Sequence, residues 1–124
     1  MADHVIPAPA QNPESEPFYA AAKEGKFMIR RCTGCKKAHW YPRAVCPFCF
    51  GDTEWEQASG EGTIYSYSPM RRAGYTIAYI TLKEGPTMLT NIVGDPDALS
   101  IGQAMKISWT AAADGTPVPT WAAA

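Results

Sequence analysis

The chain has 124 residues, 46% apolar and 19% charged, with 11 Lys+Arg against 12 Asp+Glu. That composition suits one ordinary folded domain or two small modules, and excludes a disordered segment. A formal charge of −1 exerts little long-range pull on phosphate backbones, and no apolar run approaches the roughly 20 residues of a membrane helix, so a dedicated nucleic-acid binder and a membrane-spanning chain are both disfavoured.

The opening stretch, MADHVIPAPAQNPE, has no basic start followed by an apolar run. It does not read as a secretory signal, and a cytoplasmic location is expected. Residues 1–12 read as a flexible arm, and His4 falls within it. Residues 15–24, SEPFYAAAKE, predict one short helix. Ser15 suits the N-cap, Pro17 the first turn and Gly25 the stop, while Phe18, Tyr19 and Ala22 are the candidate contacts. KFMIRR, 26–31, predicts a strand leading into the first cysteine.

All four cysteines follow within eighteen residues: Cys32, Cys35, Cys46 and Cys49. The pattern is two C-x2-C knuckles separated by ten residues. Two facing knuckles bring four thiolates to one point, the donor set of a structural tetrahedral zinc. Iron suits the same four sulfurs. A dithiol redox site needs one pair in a βαβ setting that is missing here, and two disulfides do not fit a reducing compartment. A four-thiolate site is closed and holds structure rather than catalysing. Lys23, Lys26, Arg30, Arg31, Lys36, Lys37 and Arg43 flank it and can balance its negative charge. His39 lies between the knuckles, outside the full ligand set, and is expected at the surface or beside the site.

After Asp52 the pattern turns to β alternation. EWEQA, 54–58, leads through Gly60 and Gly62, expected at a bend or bulge, into TIYSYS, 63–68. There Ile64, Ser66 and Ser68 share one face, and Thr63, Tyr65 and Tyr67 the other. TIAYITL, 76–82, predicts a central strand and TMLTNIV, 87–93, the next. Asp95 and Asp97 in GDPD read as turn formers. QAMKISW, 103–109, puts Met105, Ile107 and Trp109 inward and Lys106 and Ser108 outward. TPVPTW, 116–121, reads as an edge strand that tolerates proline. Five strands without an intervening helix favour a closed or nearly closed barrel, of OB or SH3-like type. The expected organisation is an arm over 1–12, helix and zinc ribbon over 13–53, and a five-stranded OB-fold barrel over 54–124.

No nucleophile elbow, Walker loop or dinucleotide fingerprint is present. Arg71 and Arg72 are adjacent cations in an inferred loop, and Tyr67 and Tyr75 lie near them. This group suits a ligand that carries phosphates and a flat aromatic base. Solvated loop charges and ordinary barrel tyrosines are the alternative.

The order EPFYAAAKEGKFMIRRC, CTGCKKAHWYPRAVCPFC, TEWEQASGEGTIYSYS and VGDPDALSIGQAMKISW resembles the zinc-ribbon/OB-fold proteins of acyl-CoA metabolism, small partners of thiolase-like enzymes. The resemblance runs from about Pro13 to Trp121. It implies a rubredoxin-like zinc ribbon and OB-fold. It also implies a non-catalytic subunit in a hetero-oligomer with a thiolase- or aldolase-type enzyme, aiding assembly and acyl-CoA binding. The segment SPMRRAGYTIAY is shorter than in relatives, so the substrate does not carry over. Two other functions compete: a single-strand nucleic-acid module and a stand-alone acyl-CoA-binding protein.

Overall fold

The computed structural model describes residues 5–124. His4 lies outside the described residues. Residues 5–12 have no regular structure, but the Ile6 carbonyl accepts a hydrogen bond from the Ala113 N–H at 2.8 Å. That contact lays this part of the arm against the barrel.

Helix α1 (Glu16–Ala22) starts with proline in its first turn and buries Phe18, Tyr19 and Ala22. Ser15 occupies the N-cap but makes no side-chain cap to the helix. Instead its N–H donates to Asn12 Oδ1 and its Oγ accepts from Asn12 N–H. The chain then turns through Gly25 at φ +77°.

Strands β1 (Met28–Cys32), β2 (Ala38–His39) and β3 (Thr53–Gln57) form an antiparallel sheet in the order β2-β1-β3. Residues 54–57, expected to lead into the barrel, pair here along the full length of β1, from Met28↔Gln57 to Cys32↔Thr53. Cross-strand partners explain the placement. Arg31 makes a two-pronged contact with Glu56, at 3.0 Å for each prong, and Arg30 lies 4.6 Å over the Trp55 ring.

The remaining strands are β4 (Glu61–Met70), β5 (Tyr75–Leu82), β6 (Thr87–Ile92), β7 (Ala104–Ala111) and β8 (Pro117–Ala123). They close a barrel in the order β4-β5-β6-β8-β7. β6 and β8 run parallel; the other pairs are antiparallel. This is the five-stranded Greek-key arrangement of an OB-fold. Ile64, Ile80, Met88, Met105 and Trp121 fill the interior. Both glycines that enter β4 are required. A Cβ at Gly62 would sit 2.8 Å from Ile80 Cγ2 and from the Thr81 carbonyl oxygen, and Gly60, at φ +78°, would meet Ile107 Cγ2 at 2.7 Å.

Three expectations are corrected. The ladder shifts between Ile64 and Ser66, so Tyr65 is a bulged residue and Ile64 does not share a face with Ser66 and Ser68. β8 is no edge strand. It pairs with β7 from Met105↔Ala123 to Ala111↔Pro117, but with β6 only at Ile92↔Trp121. Its prolines survive because that second side carries almost no ladder, and Thr90 Oγ1 donates to the Pro119 carbonyl at 3.0 Å in its place. On β7, Met105 is fully buried while Ile107 and Trp109 are half-buried.

Trp109 turns toward the ribbon side, with ring centroids 6.3 Å from Phe18 and 6.2 Å from Phe27. Phe27 also meets Trp40 at 5.6 Å and Trp121 at 5.9 Å. One aromatic cluster thus runs from helix and ribbon into the barrel. Trp121→Ala is expected to cost about 3–5 kcal/mol in urea unfolding. Gly62→Ala should also destabilise, because backbone blocks its Cβ. Lys106→Ala should stay within about 0.5 kcal/mol of wild type. Equal tolerance at all three positions would contradict this packing.

Candidate metal centre and barrel groove

The four thiols come together at the tips of the ribbon. β1 delivers Cys32, the turn to β2 delivers Cys35, and the second knuckle delivers Cys46 and Cys49. All four Sγ atoms lie within 4.8 Å of one another. Cys32 and Cys49 sulfurs are 3.4 Å apart, and those of Cys35 and Cys46 3.7 Å. A zinc tetrahedron with Zn–S bonds of about 2.3 Å has S···S edges of about 3.8 Å, so the donors fit such an ion.

Local backbone geometry aims them. Lys36 and Phe50, each directly after a knuckle, adopt φ +66° and +64°. Gly34 and Cys35 N–H groups donate to Cys32 Sγ, both at 3.3 Å, and Phe48 N–H donates to Cys46 Sγ at 3.4 Å. A Cβ at Gly51 would press to 3.3 Å of Cys49 Sγ and 3.4 Å of Cys32 Sγ, so glycine keeps the thiols accessible to an ion. These positive-φ positions were not foreseen, and their signal is simply their place after each C-x2-C.

Charge on the tetrad is shared unevenly. The backbone N–H of Cys35, helped by Cys49 and Gly34, overcomes burial and brings the Cys32 thiol down to about 6. For Cys35 the Lys37 N–H works in the lowering direction. Burial and the neighbouring Cys32, Cys46 and Cys49 outweigh it and push the thiol up to about 11. Burial opposes ionisation of Cys46, but the N–H groups of Cys49 and Phe48 leave its pKa lowered. Four thiolates need a cation at their centre before all can lose their protons.

His39 is buried, not at the surface. Its Nε2 accepts from the Arg43 N–H at 3.2 Å. Burial, with Arg30 and Arg43 nearby, holds its pKa below 6.5 and keeps the ring neutral.

The four candidate ligand-binding residues separate. Arg71 and Tyr75 line a groove of about 370 Å³ at one mouth of the barrel, with Ile6, Met70, Asn91 and Thr110. Arg71 Nη2 is 2.7 Å from Asp97 Oδ1, an exposed ion pair, and Asp97 N–H in turn donates to Asp95 Oδ1. Arg72 and Tyr67 do not line this groove. The Tyr67 hydroxyl donates to the Leu99 carbonyl at 3.0 Å, a bracing contact made possible by the β4 bulge. A second cleft, about 750 Å³, lies between ribbon and barrel and presents Arg31, Lys36, Lys37 and Arg43. These cations are among those expected to balance the charge of the metal site; the hydrogen bonds to sulfur come from backbone N–H groups.

Comparison with known proteins matches this geometry. Residues 20–56 fit the family model of the ChsH2 rubredoxin-like zinc ribbon domain, and residues 55–110 that of the ChsH2 C-terminal OB-fold domain. A probable enoyl-CoA hydratase alpha subunit of Thermomonospora curvata is 33% identical over 93% of this chain and 39% of its own length. A DUF35 domain-containing scaffold protein of Methanocaldococcus jannaschii is 33% identical over 61% of this chain and 62% of its own. The chain thus spans less than two thirds of either relative. The solved Ltp2-ChsH2(DUF35) aldolase contains a chain 32% identical, with a TM-score of 0.78, covering 94% of this chain and 98% of that one. A DUF35 protein of unknown function from Sulfolobus solfataricus, 18% identical with a TM-score of 0.68, shares the fold. The chain therefore carries a rubredoxin-like zinc ribbon whose four cysteines are positioned to bind a metal ion.

Replacing any of Cys32, Cys35, Cys46 or Cys49 by Ser should lower bound zinc and loosen the ribbon, read by elemental analysis and thermal unfolding. Full metal retention in all four would contradict the site. Because the Cys35 thiol stays protonated at neutral pH without metal, zinc uptake should release protons into a weakly buffered indicator solution and weaken as pH falls. Uptake without proton release would be the contrary result. At His39 the folded chain resists a proton that the unfolded chain accepts near pH 6.5. Its contribution is therefore complete above that pH and is lost on acidification below it. His39→Gln, which keeps an acceptor for Arg43 N–H, should flatten the pH dependence of stability in that window. An unchanged slope would count against it.

Proposed function

Because the chain belongs to the DUF35 family, with the ribbon-plus-barrel arrangement of ChsH2, we propose that it is the non-catalytic subunit of an acyl-CoA enzyme complex of thiolase or aldolase type. The observation that carries the reading is the near-complete overlap with a chain of the Ltp2-ChsH2(DUF35) aldolase, taken with the match to both ChsH2 family models. The name of one curated relative, a scaffold protein, agrees with a supporting role; the other is named as an enoyl-CoA hydratase alpha subunit, of which this chain spans 39%.

The chemistry of the residues points the same way. A zinc held by Cys32, Cys35, Cys46 and Cys49 has no open position for water or substrate. The metal would supply folding energy and rigidity, and it takes the four thiols out of nucleophilic chemistry. His39 is buried and neutral, occupied with Arg43. Asp97 is tied to Arg71, and Asp95 accepts from the Asp97 N–H. In this reading the barrel groove receives part of the acyl-CoA. Arg71, whose exposed pair with Asp97 a phosphate would have to displace, supplies charge and Tyr75 a ring, while Arg72 adds positive potential from outside the groove. The complex works in the cytoplasm. Among the described residues no helix is long and apolar enough to cross a membrane.

Affinity purification of the full chain from its native host should recover a stoichiometric thiolase-like enzyme, identified by mass spectrometry. Recovery of the chain alone would overturn the reading. In the recovered complex, Arg71→Ala should raise the KM for acyl-CoA about tenfold while leaving zinc content intact, as expected for loss of a charge-assisted contact. An unchanged KM at low salt would remove Arg71 from the ligand site.

A further inference from the structure

The outside of the barrel is uneven in charge. On β5, Thr76, Ala78, Ile80 and Leu82 are buried, so Ile77, Tyr79 and Thr81 face out. On β6, Met88, Thr90 and Ile92 are buried, so Thr87, Leu89 and Asn91 face out. Register aligns them in rows: Ile77 opposite Asn91, Tyr79 opposite Leu89, Thr81 opposite Thr87. β4 extends the rows with Ser68, Ser66 and Thr63, and the bulge adds Tyr65 beside the middle row. None of these positions carries a charge. Charge returns beyond the Thr63–Thr81 row, in the exposed Glu61–Lys83 pair.

At the centre of this face Tyr65, Tyr79 and Leu89 are 66%, 46% and 53% exposed. Exposed aromatic and aliphatic side chains without charge are the composition of an interface centre, not of an ordinary barrel exterior. A bulge is a device for re-aiming a side chain, and here it turns one more tyrosine outward.

The face alone is too small. Strand spacing and rise make it about 14 by 20 Å, or roughly 300 Å², against about 800 Å² per partner in a standard interface. It continues, however, at Thr87. That residue also lines the basic cleft between ribbon and barrel, together with Pro86 and the 58%-exposed Phe48. Arg31 is engaged with Glu56. Lys36, Lys37 and Arg43 have no carboxylate partner among the described residues. Glu84 is the one carboxylate among the described residues lining the cleft, and its Oε2 already accepts from Ser59 N–H. In an isologous pair the same surface stands on both sides, so the three unpaired cations would meet only the other copy's Glu84, a single carboxylate that already accepts from Ser59 N–H. The occupant is therefore a different protein.

We propose that the outer face of β4–β6 and the adjoining basic cleft form one docking surface for the enzyme subunit, which sets an uncharged apolar patch on Tyr65, Tyr79 and Leu89 and an acidic segment in the cleft. This rests on the reading of the chain as a subunit of an enzyme complex. Affinity comes from desolvating the tyrosines and the leucine, and orientation from the charge contact at one end.

The test uses the full chain and the enzyme subunit recovered with it, with affinity measured by sedimentation. Tyr79→Glu and Leu89→Glu, both on the exterior, should weaken binding about thirtyfold or more. Zinc content and unfolding midpoint should not change. Lys36→Glu with Lys37→Glu should weaken binding about tenfold at low salt, with the deficit shrinking as salt screens the cleft. Lys106→Glu, on β7, should bind like wild type. If the wild-type complex forms and the Tyr79 and Leu89 variants bind normally, the surface is wrong and the subunit reading stands. If the wild type forms no complex, both fall. Self-association of the free chain that is lost in Tyr79→Glu, with enzyme binding unchanged, would make a second copy the occupant and overturn the proposal. Titration of free CoA into the isolated chain provides the last arm. Binding that is lost in the Lys36/Lys37 variant would make the cleft a small-molecule site and overturn its assignment to an acidic segment.

Discussion

The structure depends on one aromatic junction. Phe27 sits where Phe18 from α1, Trp40 from the ribbon, and Trp109 and Trp121 from the barrel converge. Most of these contacts are edge-to-face, the favoured geometry for aromatic quadrupoles. A ribbon of this size has too little interior to hold itself, as small modules generally do. Here it is held from two sides, by sulfur donors at its tip and by the junction at its base. The barrel in turn receives Trp121 as a plug, and Gly62 has no side chain so that this packing can close. Ribbon and barrel therefore share one hydrophobic core rather than being two beads on a string.

That shared core gives the metal its meaning. The sulfurs are set by short turns at Lys36 and Phe50 and by backbone N–H groups. Rigidity at the knuckles passes through β1 to Phe27 and so to the barrel. The same rigidity fixes the cleft, because one wall is the ribbon, from Lys36 after the first knuckle to Phe48 in the second, and the other is the β5–β6 turn. A partner that reads the barrel face and the cleft together would read an angle that the junction and the metal jointly set.

Much of this was legible in the sequence because its signals were local. The two C-x2-C pairs specify four converging thiols by spacing alone. An apolar run located β5, the turn after it β6, and alternation β7, each to within a residue or two, and the short helix followed from Pro17 and Gly25. What was not legible depended on partners distant in the chain. β3 belongs to the ribbon because Glu56 and Trp55 answer Arg31 and Arg30 across a strand. β8 is internal, despite Pro117 and Pro119, because a parallel neighbour leaves their side of the strand almost unpaired. Tyr65 and Tyr67 look equivalent by period, yet one extra residue sends Tyr65 outward and turns the Tyr67 hydroxyl to Leu99. His39 reads as a residue at the surface or beside the metal site, and the fold buries it against the Arg43 backbone. Of the residues singled out for ligand binding, Arg71 and Tyr75 share a groove, and Arg72 and Tyr67 do not.

The role proposed for this chain is to supply structure and a docking surface to a partner enzyme. It is tested most directly by hydroxyl-radical footprinting of the full chain, free and with the enzyme recovered from its host. The account predicts protection of Tyr65, Tyr79, Leu89 and Phe48 in the complex, with residues 104–111 of β7 as reactive as in the free chain. Protection confined to β7, or none on Tyr79 and Leu89 in a complex that has demonstrably formed, would contradict it.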